Sequence, residues 1–149
     1  MDSKICQQCG ESKPLKAFYR NRTKPDGFQN ICKKCSDKQR TERHKRIVAR
    51  RVKLATELRS TGCVICGVND TEVIDFHHID KKSEQGLSKI MYGAYSEDRF
   101  LWELAKCVPL CANDHRRVHA GRINLDRVPR YNIELLRARL RMIEREEDE

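Results

Sequence analysis

Eight cysteines set the terms on which this chain can fold, and six of them fall in three Cys-x2-Cys pairs: Cys6/Cys9, Cys32/Cys35 and Cys63/Cys66. The other two, Cys107 and Cys111, are separated by Val108-Pro109-Leu110. With 36% charged and only 6% aromatic residues in a chain of 149, no large apolar core can form, and another kind of staple is required. A thiolate zinc site takes four tetrahedral ligands, and one Cys-x2-Cys knuckle delivers two of them. Cys6, Cys9, Cys32 and Cys35 are therefore read as one closed, structural zinc site. Cys63, Cys66, Cys107 and Cys111 are read as a second, whose latter half must turn sharply if both thiolates are to reach one metal. The competing readings are ordinary buried thiols or, in a secreted chain, disulfides. The first ten residues lack the apolar stretch of a signal peptide, and no apolar run approaches membrane-spanning length. A reducing, cytoplasmic compartment is expected, with no membrane partner.

Charge is distributed unevenly. Residues 1–60 hold 17 Lys/Arg against 6 Asp/Glu, a net of +11, whereas residues 61–149 hold 14 against 16. Such asymmetry points to a polyanionic partner, with nucleic acid first among them; the alternative is a merely soluble basic surface.

Composition separates four segments. Residues 1–35 carry two knuckles with a turn at Lys24-Pro25-Asp26-Gly27. Residues 36–60 lack Gly and Pro and read as one basic helix, with Val48, Val52, Ala55 and Leu58 as a thin apolar stripe that docks and leaves the basic faces free. Arg43, Lys45, Arg46, Arg50 and Arg51 are the expected phosphate contacts on it. Residues 61–121 open with the third knuckle. A short strand is expected over 72–76, a loop over 81–93, a helix capped by Ser96, an extended piece at 108–110, and a helix over 112–120 closed by Gly121. In residues 122–149, Asn132 caps a last helix whose Ile133, Leu136, Leu140 and Ile143 share one face, before an acidic tail.

Four of the five histidines fall in two motifs, Asp75-Phe76-His77-His78-Ile79-Asp80 and His115-Arg116-Arg117-Val118-His119. Positions i and i+4 of a helix share a face, so His115 and His119 can address one metal. Neighbours on an extended segment point to opposite sides, which lets His77 and His78 divide the labour of ligand and proton acceptor. The alternative is that these histidines are further structural zinc ligands or surface residues. Because eight cysteines can already close two sites, a third, open, histidine-rich site is read as functional.

Taken together, the third knuckle, the Asp75–Asp80 motif and the run Lys106-Cys107-Val108-Pro109-Leu110-Cys111-Ala112-Asn113-Asp114-His115-x3-His119 resemble HNH endonucleases with a ββα-metal (His-Me finger) core. The N-terminal four-cysteine segment is similar to zinc modules of phage HNH and recombination-endonuclease-like proteins. The resemblance implies an α+β fold: a zinc-stapled ββα-metal domain preceded by a four-cysteine zinc module and a basic helix. It implies a metal-dependent DNA endonuclease of bacterial or phage-infected cells, a monomer or homodimer that nicks duplex DNA and leaves 5′-phosphate and 3′-hydroxyl ends. His77, His115 and His119 would hold a catalytic divalent metal (magnesium, manganese or another transition metal), and His78 would be the general base. Arg116 and Arg117 would meet phosphates, unless they are simply a solvated helix face.

Two positions depart from the pattern. Many relatives carry a cysteine where this chain has Asp114, which leaves Cys107 to complete the second zinc site; Asp114 is instead a candidate oxygen ligand of the catalytic metal, which would favour magnesium or manganese. The middle asparagine of the motif is replaced at its usual place by Lys106, and Asn113 is taken as the substitute. A structure-selective junction endonuclease and a non-catalytic zinc-dependent DNA-binding protein are the alternatives.

Overall fold

The structure, a computed structural model, describes residues 2–80 and 84–148. It comprises two compact units, Met1–Arg46 and Ile47–Glu149, with the boundary inside one long helix, α1 (Lys33–Ser60). That helix starts three residues earlier than residue 36, directly after the strand that ends on Cys32, so Cys35 lies in its first turn.

The N-terminal unit is made of two antiparallel hairpins. β1 (Ser3–Ile5) pairs with β2 (Ser12–Pro14), and β3 (Phe18–Arg20) with β4 (Phe28–Cys32). The turn expected at Lys24–Gly27 joins the second pair: the Gly27 amide donates to the Lys24 carbonyl at 2.9 Å, and the Asp26 carboxylate accepts from Lys4 Nζ at 2.5 Å. Among the described residues only Cys6, Phe18 and Cys32 are fully buried here, so the apolar contribution is small and the four cysteines have to carry this unit's cohesion.

The second unit is a mixed α+β body. Its only sheet among the described residues is the antiparallel pair β5 (Ile74–His78) and β6 (Cys107–Cys111), with His77 opposite Val108 and His78 opposite Cys107. Between them lie α2 (Gly86–Tyr92) and α3 (Glu97–Ala105); after them come α4 (Ala112–His119) and α5 (Ile133–Asp148). Both expected caps are present. Ser96 accepts from the Arg99 amide at 3.2 Å, and Asn132 Oδ1 from the Glu134 and Leu135 amides at 2.8 and 3.2 Å. Leu136, Leu140 and Ile143 of α5 pack with Leu54, Ile90, Phe100, Leu101 and Leu104 in one core, so the last helix closes its own unit. Each such side chain contributes about 1.5–3 kcal/mol through removal from water.

Two expectations are corrected in this unit. Residues 86–92, read as loop, form α2, while residues 81–83 of that stretch lie outside the described residues. Arg51, read as a DNA contact, is 2% exposed. On α1 the buried positions are Arg51, Leu54 and Ala55, with Leu58 half-buried; Ala55 and Leu58 belong to the expected stripe, while its Val48 and Val52 are only half-buried. The two corrections have one cause. Arg51 donates to the carbonyls of Ile90 (3.1 Å), Gly93 (3.2 Å) and Tyr95 (2.5 Å), satisfying the open C-terminal end of α2 that the short helix cannot satisfy itself. A Cβ at Gly93 would meet the Lys89 carbonyl oxygen at 2.6 Å and the Tyr95 ring at 2.7 Å, so only glycine fits beneath the guanidinium. No helix among the described residues is long and apolar enough to cross a membrane.

Candidate functional site

β5 runs into His77-His78, and the two rings turn to different partners beside one groove. His77 meets His115 and His119, which lie one turn apart on the same face of α4. The three ring centroids are 4.8–4.9 Å from one another, and the Nε2 atoms of His115 and His119 are 3.3 Å apart. Zinc–imidazole bonds of about 2.0–2.1 Å give a tetrahedral nitrogen–nitrogen edge of about 3.3 Å. The cluster is thus assembled at ligand spacing, with one ligand atom from each ring within 4.8 Å of the others. Three protein ligands would leave at least one position of a tetrahedral ion open. Burial, and then the neighbouring His115 and His119, lower the pKa of His77 and favour the neutral, ligating form. Asp75, two residues before His77, places a carboxylate oxygen 3.8 Å from His115 Nδ1, on the side away from the cluster.

The other ring has a different partner. His78 Nε2 lies 2.9 Å from Oε1 of Glu103, a carboxylate only 1% exposed that also takes Lys106 Nζ at 3.2 Å on Oε2. A carboxylate at Nε2 selects the tautomer with the proton there and the lone pair on Nδ1. Sequence reading missed Glu103. Its signal was present: in α3 the apolar positions Phe100 and Leu104 place residue 103 on the same buried face, where a carboxylate needs a partner. Asn113, the expected stand-in, is exposed. It is two residues from His115, about 200° around the helix, and so faces away from the cluster.

All four histidines line one groove of about 920 Å³, together with Asp75 and Arg59. The Nε of Arg59 is buried there and has no hydrogen-bond partner among the described residues.

The cysteines flank these groups. In the N-terminal unit Cys6, Cys9, Cys32 and Cys35 converge with one Sγ each within 4.8 Å, a four-thiolate cluster that can hold zinc. Against the effect of burial, amide donors from Cys32, Cys9 and Gln8 bring the Cys6 thiol down to about 6, toward the thiolate. The knuckle turns on Gly10 (φ 72°), whose amide donates to the Cys6 carbonyl at 2.8 Å. Cys63–Gly67 repeats the same turn, with Gly67 at φ 75° and its amide 2.9 Å from the Cys63 carbonyl.

The second cluster differs from expectation in one ligand. It comprises Cys63, Cys66, Cys111 and Asp114, not Cys107. Cys107 and Cys111 begin and end β6, and four residues of strand span about 13 Å, far beyond the reach of one metal. Cys107 instead lies in the core at 0% exposure, donates to the Glu103 carbonyl at 3.3 Å, and has its thiol pushed up to about 12 by burial. Asp114, expected as an oxygen ligand of the catalytic metal, is not in the histidine cluster: it is 1% exposed and faces the sulfurs, and the Cys66 thiol first, then Arg117, hold its carboxyl at about 2.

The basic residues divide in the same way. Arg43, Lys45 and Arg46 are exposed on the N-terminal unit's part of α1, and Arg116 is exposed on α4. Arg50 pairs with Glu144, and Arg117 with Asp114 at 2.8 Å. Searches against family models, curated proteins and solved structures found no match to this chain.

Proposed function

We propose that the chain is a metal-dependent DNA endonuclease of the HNH kind, its ββα-metal core formed by β5, β6 and α4. The observation that carries this reading is the pairing of an open three-histidine cluster with a fourth, carboxylate-held histidine in the same groove. Phosphodiester hydrolysis needs both parts. His77, His115 and His119 would hold a divalent metal, which would supply a Lewis acid for the charge on the phosphate and the departing 3′ oxygen. His78 takes the proton from the attacking water on Nδ1, while Glu103 fixes the ring and stabilises the imidazolium that results. Arg59 is the candidate phosphate contact within the groove, and Arg43, Lys45 and Arg46 supply a sequence-independent grip.

The donor set bears on the metal. Three imidazole nitrogens with no carboxylate suit a transition metal better than magnesium, whose preference is for oxygen. Cleavage is therefore expected to be stronger with manganese, nickel, cobalt or zinc than with magnesium at equal concentration.

A supercoiled-plasmid assay tests the reading. The wild type should produce nicked circles with 5′-phosphate ends, and His78→Ala should lower the rate by about 10²–10⁴. Intact plasmid from the metal-loaded wild type, or equal nicking by the variant, would remove the enzyme and leave a zinc-dependent DNA-binding protein. A single ββα unit carries one active centre, so single-strand nicks are expected from a monomer.

A further inference from the structure

We infer that the second cysteine cluster is a zinc site of three thiolates and one carboxylate, with Oδ2 of Asp114 as the fourth ligand and Arg117 holding Oδ1 from outside. The distances are those of a loaded tetrahedron. Zinc–sulfur bonds of about 2.3 Å and zinc–oxygen bonds of about 2.0 Å give edges of about 3.8 Å between sulfurs and about 3.5 Å between sulfur and oxygen. In this chain Cys66 Sγ and Cys111 Sγ are 3.6 Å apart, and Asp114 Oδ2 lies 3.3 Å from Cys63 Sγ and 3.5 Å from Cys111 Sγ. The other carboxylate oxygen is turned away and accepts from Arg117 at 2.8 Å, which makes the carboxylate a one-oxygen donor. Asp114 is 1% exposed, and its Oδ2 is the carboxylate oxygen directed at the sulfurs.

The local backbone explains how an aspartate comes to this place. Cys111 caps α4, its sulfur accepting from the Asp114 amide at 3.4 Å, so residue 114 is carried to the cap's side of the first turn. The next residue on the helix, His115, belongs to the histidine cluster. One turn of α4 thus joins the two metal-binding groups. The site ties the Cys63 knuckle to the base of the helix bearing His115 and His119, and this role holds whether or not the chain cuts DNA.

Arg117 is accordingly a positioning residue for the zinc site, not a phosphate contact. Three thiolates and a carboxylate around a divalent ion leave a net charge of about −2, and the guanidinium offsets part of it in the geometry that favours one oxygen.

Cadmium-113 NMR of the full-length protein loaded with cadmium tests the assignment, because replacing one sulfur by oxygen moves the resonance upfield. The wild type should give one four-thiolate signal, from the N-terminal unit, a second signal displaced upfield, and, from cadmium on the all-nitrogen histidine cluster, a third much further upfield that His115→Gln removes. Asp114→Cys should move the second signal into the four-thiolate range and leave the first in place. Cys107→Ala should move neither. Arg117→Ala should keep the second signal's position but weaken zinc retention against a chelator by about 10- to 100-fold. Two four-thiolate signals in the wild type would overturn the proposal, as would a second signal that responds to Cys107→Ala but not to Asp114→Cys. Asp114→Ala should lose or broaden the second signal, and should that variant fail to fold, the shift in Asp114→Cys still decides the question.

Discussion

The imidazole of His78 can accept a proton from water only if its lone pair is directed at the groove, and its tautomer is set by what binds the other nitrogen. That partner is Glu103, buried at 1% exposure and 2.9 Å away. Glu103→Gln keeps the shape and removes the charge, so plasmid nicking should slow by about 10- to 100-fold with metal occupancy of the cluster unchanged. An unaltered rate would mean that His78 does not depend on this contact. His77 makes a second residue-level prediction. Its lowered pKa has burial as the larger cause and His115 as the next. In metal-free protein its NMR titration midpoint should lie below about 6.5, and His115→Gln should raise it part of the way. The sign for stability follows: the folded state binds fewer protons at His77 than the unfolded one, so metal-free stability rises as pH climbs toward that value and is lost as it falls. Four histidines were legible in the sequence because local geometry, i to i+4 on a helix and i to i+1 on a strand, governs where they point. Glu103 was not, since its partner lies 25 residues away and only the packing of α3 on β6, the strand paired with β5, brings them together.

Among the elements, α3 and α5 were legible because each announces itself twice, with a cap and with an apolar face. α2 announces itself with neither. It has seven residues, begins on a glycine, and offers Leu87 and Ile90 as its buried positions. What holds it is Arg51, 39 residues before Ile90 in sequence, and no local pattern carries that information. The same gap between local and long-range signals misplaced Cys107: its spacing from Cys111 suits a knuckle, but pairing with β5 draws the segment out as a strand. Arg51→Leu should leave the α2 carbonyls unsatisfied and destabilise the second unit by about 3 kcal/mol in denaturant unfolding. Its effect on the salt dependence of DNA binding should be nil, because the guanidinium never reaches solvent. A variant as stable as the wild type would show that water can satisfy the end of α2.

At the scale of the whole chain, charge and metal are distributed by unit. Met1–Arg46 holds 13 Lys/Arg against 5 Asp/Glu, a net of +8, whereas Ile47–Glu149 is close to balanced at +1. Among the described residues the first unit buries Phe18 and two of its own cysteines, Cys6 and Cys32; the second has one buried cluster of eleven residues and another of six. Chelation should therefore abolish amide protection in residues 2–46 while the core helices of the second unit stay protected, and uniform loss across both would contradict this division. The charge partition makes the last prediction. If the N-terminal unit supplies the non-specific grip, each phosphate contact it makes releases counterions, and log K falls with log salt by about 0.9 per contact on duplex DNA. Replacing Arg43, Lys45 and Arg46 by Gln should then flatten the slope by up to about 2.7. The Arg117→Ala change should not flatten it, because that guanidinium is engaged with Asp114. Measured without divalent metal, so that cleavage cannot interfere, the two variants separate a cation that meets DNA from one that meets a zinc ligand. A flattened slope for Arg117→Ala together with an unchanged one for the triple variant would reverse both assignments.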